Sequence, residues 1–577
     1  MKRAALVLLL AACGTDEAPP LPSGRTASSL AFGADGRLWV ASPDDGAVVG
    51  LDPGTLVVEV SVAVPGEPAR LLAVGDALAV VGERSTALTL VGERVRAVPI
   101  PCGGATGLAA LGERLFVACP FDDRVVEVDA RSARVVRVLA ASGRPTAVAV
   151  AAGRLVVSAS RLGDLGTVAL DALPNPQFDR WVALDTPWVM SAVPTRDGRE
   201  AVQLDALDVA GGRLVGVYQI VQHDGDRDLP PEAGGYGRVN DGDPRIEPRL
   251  LADCGGAYAR FDGGERALSG PSAVALDAAR GRLWVVHRGT GDVTVFACER
   301  GDAPDLLPII ASFRVGDGAR GLVLDRDGTA WVDVAFDHAV ARLAIGADAL
   351  TRSRTPGPMA LSAQAQRGRR LFHDARNVHL TPSGVVTCAT CHPGGGDDGL
   401  TWFLHTRNVP RKLRRTPPAW GLRTDLRPLH WDGAFADAEA LVTSTLAELM
   451  EGDGLLVDTA AVGAWMRERP PPVARPLSAV EAARADRGGA VFASAGCAEC
   501  HPAPAYMDGR VHDGLAPSAD PDGRLDDPFT PSLVAVRARA PYLHDGRAAT
   551  LAEVLDVHAP SLTAVARVDL IGFLESL

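Results

Sequence analysis

The sequence predicts a two-part chain: an N-terminal all-β propeller of six or seven blades, then a mainly α-helical pair of small lobes. Three observations carry this prediction. A β-rich pattern recurs about every 40 residues from Ser28 to about Ile345, which is the period of a propeller blade. The β-rich runs stop after Leu350, and helical spacing takes over from Ala360. That helical part holds two Cys-x-x-Cys-His pentapeptides, at 388–392 and 497–501, each preceded by a similar helix-forming stretch. The implied segments are a leader and tether over 1–24, the propeller over 25–350, and the two lobes over 360–476 and 477–577.

At the start of the chain, Lys2 and Arg3 precede an apolar run from Ala4 to Ala12. The run is too short to cross a bilayer and reads as an export signal. Its ending, Leu10-Ala11-Ala12-Cys13, resembles a bacterial lipobox, which would make Cys13 the lipidated first residue of the mature protein. The Pro-rich stretch from Gly14 to Gly24 reads as a tether. The expected location is the bacterial periplasm, with the membrane (the outer one) reached only through a lipid anchor. Apolar residues make up 47% of the 577, enough to fill the cores of two or three domains. A formal net charge of −13 argues against a nucleic-acid partner, which favours a basic face.

The repeat is clearest in three copies. Ser29-Leu30-Ala31-Phe32 leads to Arg37-Leu38-Trp39-Val40-Ala41 and then Ala47-Val48-Val49-Gly50-Leu51. The same triplet returns from Gly107 and from Ala273, with weaker copies near Leu71, Thr146 and Gly321. Each copy shows three short strands separated by Gly/Asp turns. One such unit cannot bury both faces, so the copies must stack radially. The stretch from Pro174 to Gly270 is irregular, and Asp224 to Pro248, rich in Gly, Asp and Pro, reads as a long insertion. Loosely, the repeats resemble the YVTN-type propellers. Cys102, Cys119, Cys254 and Cys298 are an even remainder suited to disulfides in an exported protein. Pairing nearest neighbours joins Cys102 to Cys119 and Cys254 to Cys298; buried thiols are the alternative, and spacing alone leaves the connectivity open.

The pentapeptides carry the chemistry. Cys388-Ala389-Thr390-Cys391-His392 and Cys497-Ala498-Glu499-Cys500-His501 have the spacing of c-type haem attachment. Two thiols form thioethers to the haem and the adjacent histidine reaches the iron. A zinc site is the alternative, but it wants paired clusters close in sequence, and these lie 109 residues apart. Two covalently bound haems c are therefore expected. The stretches from Ser362 to Phe372 and from Ser478 to Phe492 are expected helices leading into the two loops, with the lobes meeting near Pro470 to Pro476.

From 360 to 577 the chain resembles the di-haem bacterial cytochrome c peroxidase and MauG family. The matching segments are Arg367-Gly368-Arg369-Arg370-Leu371-Phe372-His373-Asp374, Arg415-Thr416-Pro417-Pro418, His430-Trp431-Asp432-Gly433, Thr530-Pro531-Ser532-Leu533 and Ala540-Pro541-Tyr542-Leu543-His544-Asp545-Gly546. The resemblance implies a mainly helical tandem cytochrome c module, with a peroxide-reactive first haem on His392 and an electron-transfer haem on His501. It implies a sixth ligand for the second iron fourteen residues after His544, a Met or Tyr in relatives, and here that position is His558. It implies His405 as a candidate distal ligand of the first iron, with His430 a weaker one. Glu448 and Glu451 fall where the family keeps its acid–base carboxylate; if that segment is helical, both face the site. Trp431 corresponds to the residue between the haems. Of seven basic residues, Arg407, Arg411, Lys412, Arg414, Arg415, Arg423 and Arg427, some suit haem propionates. Arg415 stands where relatives often have an Asn of a calcium site, which puts calcium in doubt.

The implied function is an exported di-haem peroxidase that reduces hydrogen peroxide with electrons from a small redox protein, relayed through the second haem. Two other readings stand beside it. One is a MauG-type oxidase acting on a protein, or other ligand, bound by the propeller. The other is an electron-transfer or binding protein with two six-coordinate haems.

Overall fold

The computed structural model describes residues 25–577 apart from 174–181, 185–187, 193–199, 223–245, 253, 255–268, 299–306, 355–359, 405–411, 422–428, 513–517, 519 and 560. The leader, Cys13 and His405 thus lie outside the described residues. Two compact units emerge, one holding the strands from Arg25 to Ser353 and the other running from Leu361 to Leu577.

The first unit is a seven-bladed propeller. Its blades are seven antiparallel sheets built from consecutive strands, beginning at Leu30, Pro68, Gly107, Val148, Glu200, Pro271 and Ala319. Blade 3 also gains the short strands Arg25–Thr26 and Val182–Leu184 at its edges. Seven apolar clusters fill the seven interfaces between neighbouring blades. The last interface closes the ring: Trp331 and Val340 of blade 7 pack with Leu30, Leu38 and Leu51 of blade 1. Closure is strengthened by Arg320, which donates to the Ala41 carbonyl at 2.9 Å, and by Arg354, ion-paired with Asp45 at 2.9 Å. No strand is shared between blades 1 and 7 among the described residues.

Six blades coincide with the six sequence copies. The seventh, blade 5, lies inside the irregular stretch, as the strands Glu200–Ala210, Arg213–Val221 and Ile246–Ala252. Where the sequence suggests three strands per copy, blades 1–4, 6 and 7 each have at least four. The extra strand is outermost and half exposed, as in Val58–Ala63 and Ile309–Arg314, so it lacks the dense apolar run of the inner three. Disulfides Cys102–Cys119 and Cys254–Cys298 form as the nearest-neighbour pairing expects, joining blade 2 to 3 and blade 5 to 6.

In blade 6, His287 is fully buried, and burial pushes its imidazole pKa down to about 3. Between the ordinary value of 6.5 and about 3, the unfolded chain takes up a proton that the folded one refuses. Propeller stability must therefore fall as pH drops through that window. Thermal melts at pH 7 and pH 4 are expected to show this loss, and His287→Gln to diminish it.

The second unit contains eight helices that matter here: α1 (Ala363–His373), α2 (Cys388–Cys391), α3 (Ala438–Glu448), α4 (Thr459–Glu468), α5 (Ala479–Ser494), α6 (Cys497–Cys500), α7 (Leu551–His558) and α8 (Ala564–Leu574). Ser362 caps α1 and Ser478 caps α5, the latter with Glu481 in a capping box, so both expected helices start at their serines. The two lobes repeat one crossing: α1 lies on α4, and α5 on α8. A glycine permits each approach. A Cβ on Gly368 would collide with the Ala461 carbonyl oxygen, and one on Gly488 with that of Asp569. Four residues on, Phe372 and Phe492 are buried in each lobe.

Alanine improves helix propensity over glycine by about 1 kcal/mol. The backbone collision must outweigh that gain, since forced overpacking costs about 1–3 kcal/mol. Gly368→Ala and Gly488→Ala are each expected to lower the melting temperature of the haem-bearing unit; unchanged melts would show that the helices separate without cost.

Candidate functional site

Both pentapeptides form one short helical turn that ends on its histidine, α2 on His392 and α6 on His501. Thr387 and Thr390 cap the first turn reciprocally. The imidazoles are oriented the same way. Nδ1 of His392 lies 3.0 Å from the Gly396 carbonyl oxygen, and Nδ1 of His501 lies 2.9 Å from that of Tyr506. A carbonyl can only accept, so Nδ1 carries the proton and Nε2 keeps its lone pair for a metal. Burial pushes both histidines below their ordinary pKa, which keeps them neutral and able to ligate. None of the four cysteines is in a disulfide, and burial raises the Cys388 thiol to about 12.

One cavity of about 780 Å³ is lined by both loops. Its wall is mostly apolar, with Arg414, Arg415, Arg539 and Arg547 as its cationic groups, and no described lining residue is Asp or Glu. An apolar cavity carrying positive charge and no carboxylate suits a large apolar guest with acidic substituents, as haem is with its propionates. Arg539 feels the crowding: burial and the neighbouring Arg415 push its pKa down to about 10.

The two histidines differ in what faces them. The rings of His501 and His558 are 6.5 Å apart, centroid to centroid. With metal–nitrogen bonds of about 2 Å, two imidazoles on one iron have centroids roughly 6.3 Å apart. His558 ends α7, lines the cavity and is solvent-accessible, so its ring is available to a metal. Around His392 the aromatic neighbour is Phe372, at 6.2 Å, and no described imidazole stands opposite it as His558 does at the second loop. His430 lines the cavity too, with Nδ1 held 3.3 Å from Asp432.

Trp431 lines the same cavity. Its Nε1 donates to the Arg415 carbonyl at 2.7 Å, and its ring meets that of His544 edge-on at 6.5 Å. Arg415 is the hub of this junction. Its guanidinium pairs with Asp397 at 3.1 Å and donates to the Arg539 carbonyl at 2.5 Å, and its amide donates to the His544 carbonyl at 2.8 Å. Asp397 directly follows Gly396, the residue that orients His392. At the position implied for a calcium ligand, the chain thus already supplies a buried cation. Neither Arg539 nor His544 could be picked out as a junction residue from sequence. Their partners are backbone carbonyls, which leave no residue-type signal.

The carboxylates expected from sequence fare differently. Helix α3 ends at Glu448, and Glu451 lies beyond it, exposed and with φ of 59°. The two therefore do not share a helical face. The lining residues of this segment are Leu441, Val442, Thr445, Leu446, Leu449 and Met450. The helix stops because the chain turns to dock on backbone: Asp453 donates to the His379 carbonyl at 2.7 Å, and Gly452 leaves no room for a Cβ there. Glu448 is half-buried, one turn beyond Thr445 at the flank of the lining face. Of the basic run, Arg414 and Arg415 line the cavity, Lys412 does not, and Arg407, Arg411, Arg423 and Arg427 lie outside the described residues. Cys500, Asp508 and His512 also bring ligand atoms within 4.8 Å of one another, but thioether formation would consume that thiol.

The methylamine utilization protein MauG of Methylorubrum extorquens is 32% identical over 279 residues, covering 36% of this chain and 76% of that protein. The chain belongs to the MauG family. Membership makes it a di-haem oxidoreductase of the cytochrome c peroxidase type, here joined to a propeller. No family model matches the chain. Among solved structures, a MauG-like protein associated with microbial copper homeostasis is 21% identical at a TM-score of 0.30, covering 39% of this chain and 91% of that one. Kuenenia stuttgartiensis hydrazine synthase is 16% identical at 0.41, covering 58% and 99%. Both likenesses are too distant to bear on function.

Proposed function

We propose that the chain is an exported di-haem c-type cytochrome that reduces hydrogen peroxide, with electrons reaching the first site through the second. The observation that carries this reading is that both MauG-family loops line one cavity, with His558 across from His501 at the second. Bound haem c would supply redox-active iron, at which peroxide takes two electrons and two protons to become two waters. Cys388, Cys391 and His392 would hold the reactive group, and Cys497, Cys500, His501 and His558 the relay. The Gly396 and Tyr506 carbonyls keep the ligating nitrogens unprotonated. Arg414 and Arg415 are placed to meet propionates, and Trp431 bridges the two halves. Glu448, half-buried one turn beyond the lining Thr445 though not itself a lining residue, is the carboxylate we assign to proton transfer; Glu451, outside the helix, is not assigned a role. The two disulfides suit an oxidising compartment, which supports export; anchoring at Cys13 rests on the Leu-Ala-Ala-Cys ending of the leader alone.

Adding one equivalent of peroxide to the purified protein is expected to change the haem spectrum rapidly and stoichiometrically. A spectrum that does not respond would sink the peroxidase reading. The 32% identity to MauG supports a second reading, an oxidase acting on a protein held by the propeller. Under that reading, small redox proteins turn over poorly while one specific protein is oxidised.

A further inference from the structure

The first strand of each blade is innermost: these strands touch their counterparts in neighbouring blades, whereas the fourth strands are exposed. The starts of the first strands and the turns after the second strands therefore surround one mouth of the central channel. Most blades present small hydroxyls there, which stitch the ring together. Thr106 donates to the Thr146 carbonyl at 2.9 Å, Thr146 to the Leu204 carbonyl at 3.0 Å, and Ser272 to the Ala319 carbonyl at 3.0 Å. Blades 2, 6 and 7 also present arginines: Arg70 and Arg320 near the starts of first strands, and Arg288 in the turn after His287.

The three guanidiniums are not equally employed. Arg320 pairs with Asp333 at 2.7 Å and reaches the Ala41 carbonyl. Arg70 donates one N–H to the Thr106 carbonyl at 3.2 Å. The Arg288 guanidinium makes no hydrogen bond or ion pair among the described residues; only its amide is used, donating to Gly270. All three lie close enough to repel one another, and the repulsion together with burial pushes Arg70 down to about 10. The four carboxylates bearing on them are already engaged: Asp205 accepts from Ser160 at 2.9 Å, Asp333 is held by Arg320, Asp44 lies 3.9 Å from the His338 ring nitrogen, and Glu83 has a contact of its own. A half-buried arginine without a direct partner, beside two more cations, keeps its N–H donors free for a ligand in the channel.

We propose that this mouth of the propeller is a binding site for an oxyanion-bearing ligand, a carboxylate or a phosphate, gripped by Arg288 with Arg70 and Arg320 beside it. Guanidinium matches either oxyanion bidentately, and a narrow low-dielectric channel strengthens the pairing. The site gives the propeller a ligand class of its own.

The test is a thermal and calorimetric titration of the full-length haem-loaded protein with inorganic phosphate and, separately, succinate, against chloride at matched ionic strength. One of the two is expected to raise the propeller transition saturably, which identifies the oxyanion. Arg288→Ala is expected to weaken that probe roughly tenfold or more, the loss of a charged hydrogen bond of about 1.5–3 kcal/mol. Without anion the same variant should melt at the same temperature as the parent or higher, and Arg288→Lys should keep part of the binding. The proposal is overturned if neither probe stabilises the propeller, if Arg288→Ala responds as the parent does, or if that variant melts lower without anion, which would make Arg288 a structural residue.

Discussion

Replacing Arg415 by Met is expected to destabilise the haem-bearing unit by about 3–5 kcal/mol, the usual loss when one member of a buried ion pair is removed. Arg415 is 3% exposed at its side chain and Asp397 is 0%. Asp397 would lose its paired guanidinium while staying shut off from water. The double replacement Arg415→Met with Asp397→Asn should recover much of the loss, because no charge is then stranded. Denaturant melts of the three variants measure both effects. The same substitution should disturb function, since the residue ties the loop that orients His392 to Arg539 in the second lobe. Peroxide should still react in the double variant, but delivery of electrons from the second site should slow. Single and double variants with equal stability would show that the charge of Asp397 does not depend on Arg415.

The second large effect concerns His558. Its removal as Ala should convert the second iron from low-spin to high-spin, visible as the loss of one of the two haem equivalents from the low-spin spectrum. Replacement by Met should instead keep the iron low-spin and raise its potential, as thioether ligation does relative to imidazole. Folding should be little affected, because His558 ends α7 and is solvent-accessible. A spectrum indifferent to both substitutions would show that the ring facing His501 is only a neighbour.

What could be read from the sequence followed the kind of signal each feature leaves. The two pentapeptides were legible because their chemistry is written in adjacent residues. His558 was legible by counting from His544, since one helix, α7, carries most of the interval. Six blades were visible through their inner strands. Blade 5 was hidden because residues 222–245 separate its second and third strands in sequence and break the 40-residue period, and the outer strands because half of each faces water. The pairing of Glu448 with Glu451 failed for a local reason: the helix ends on backbone docking between Gly452, Asp453 and His379, which no side-chain pattern announces. The Arg415–Asp397 pair spans two loops, and its role depends on burial rather than on residue type.

The most direct measurement is electron paramagnetic resonance of the fully ferric protein. One high-spin signal, from the iron on His392, and one low-spin signal, from the iron between His501 and His558, is the expected result, with the high-spin signal alone responding first to added peroxide. Two low-spin signals that persist in the presence of peroxide would contradict the division of labour between the two sites and favour a carrier of electrons over an enzyme.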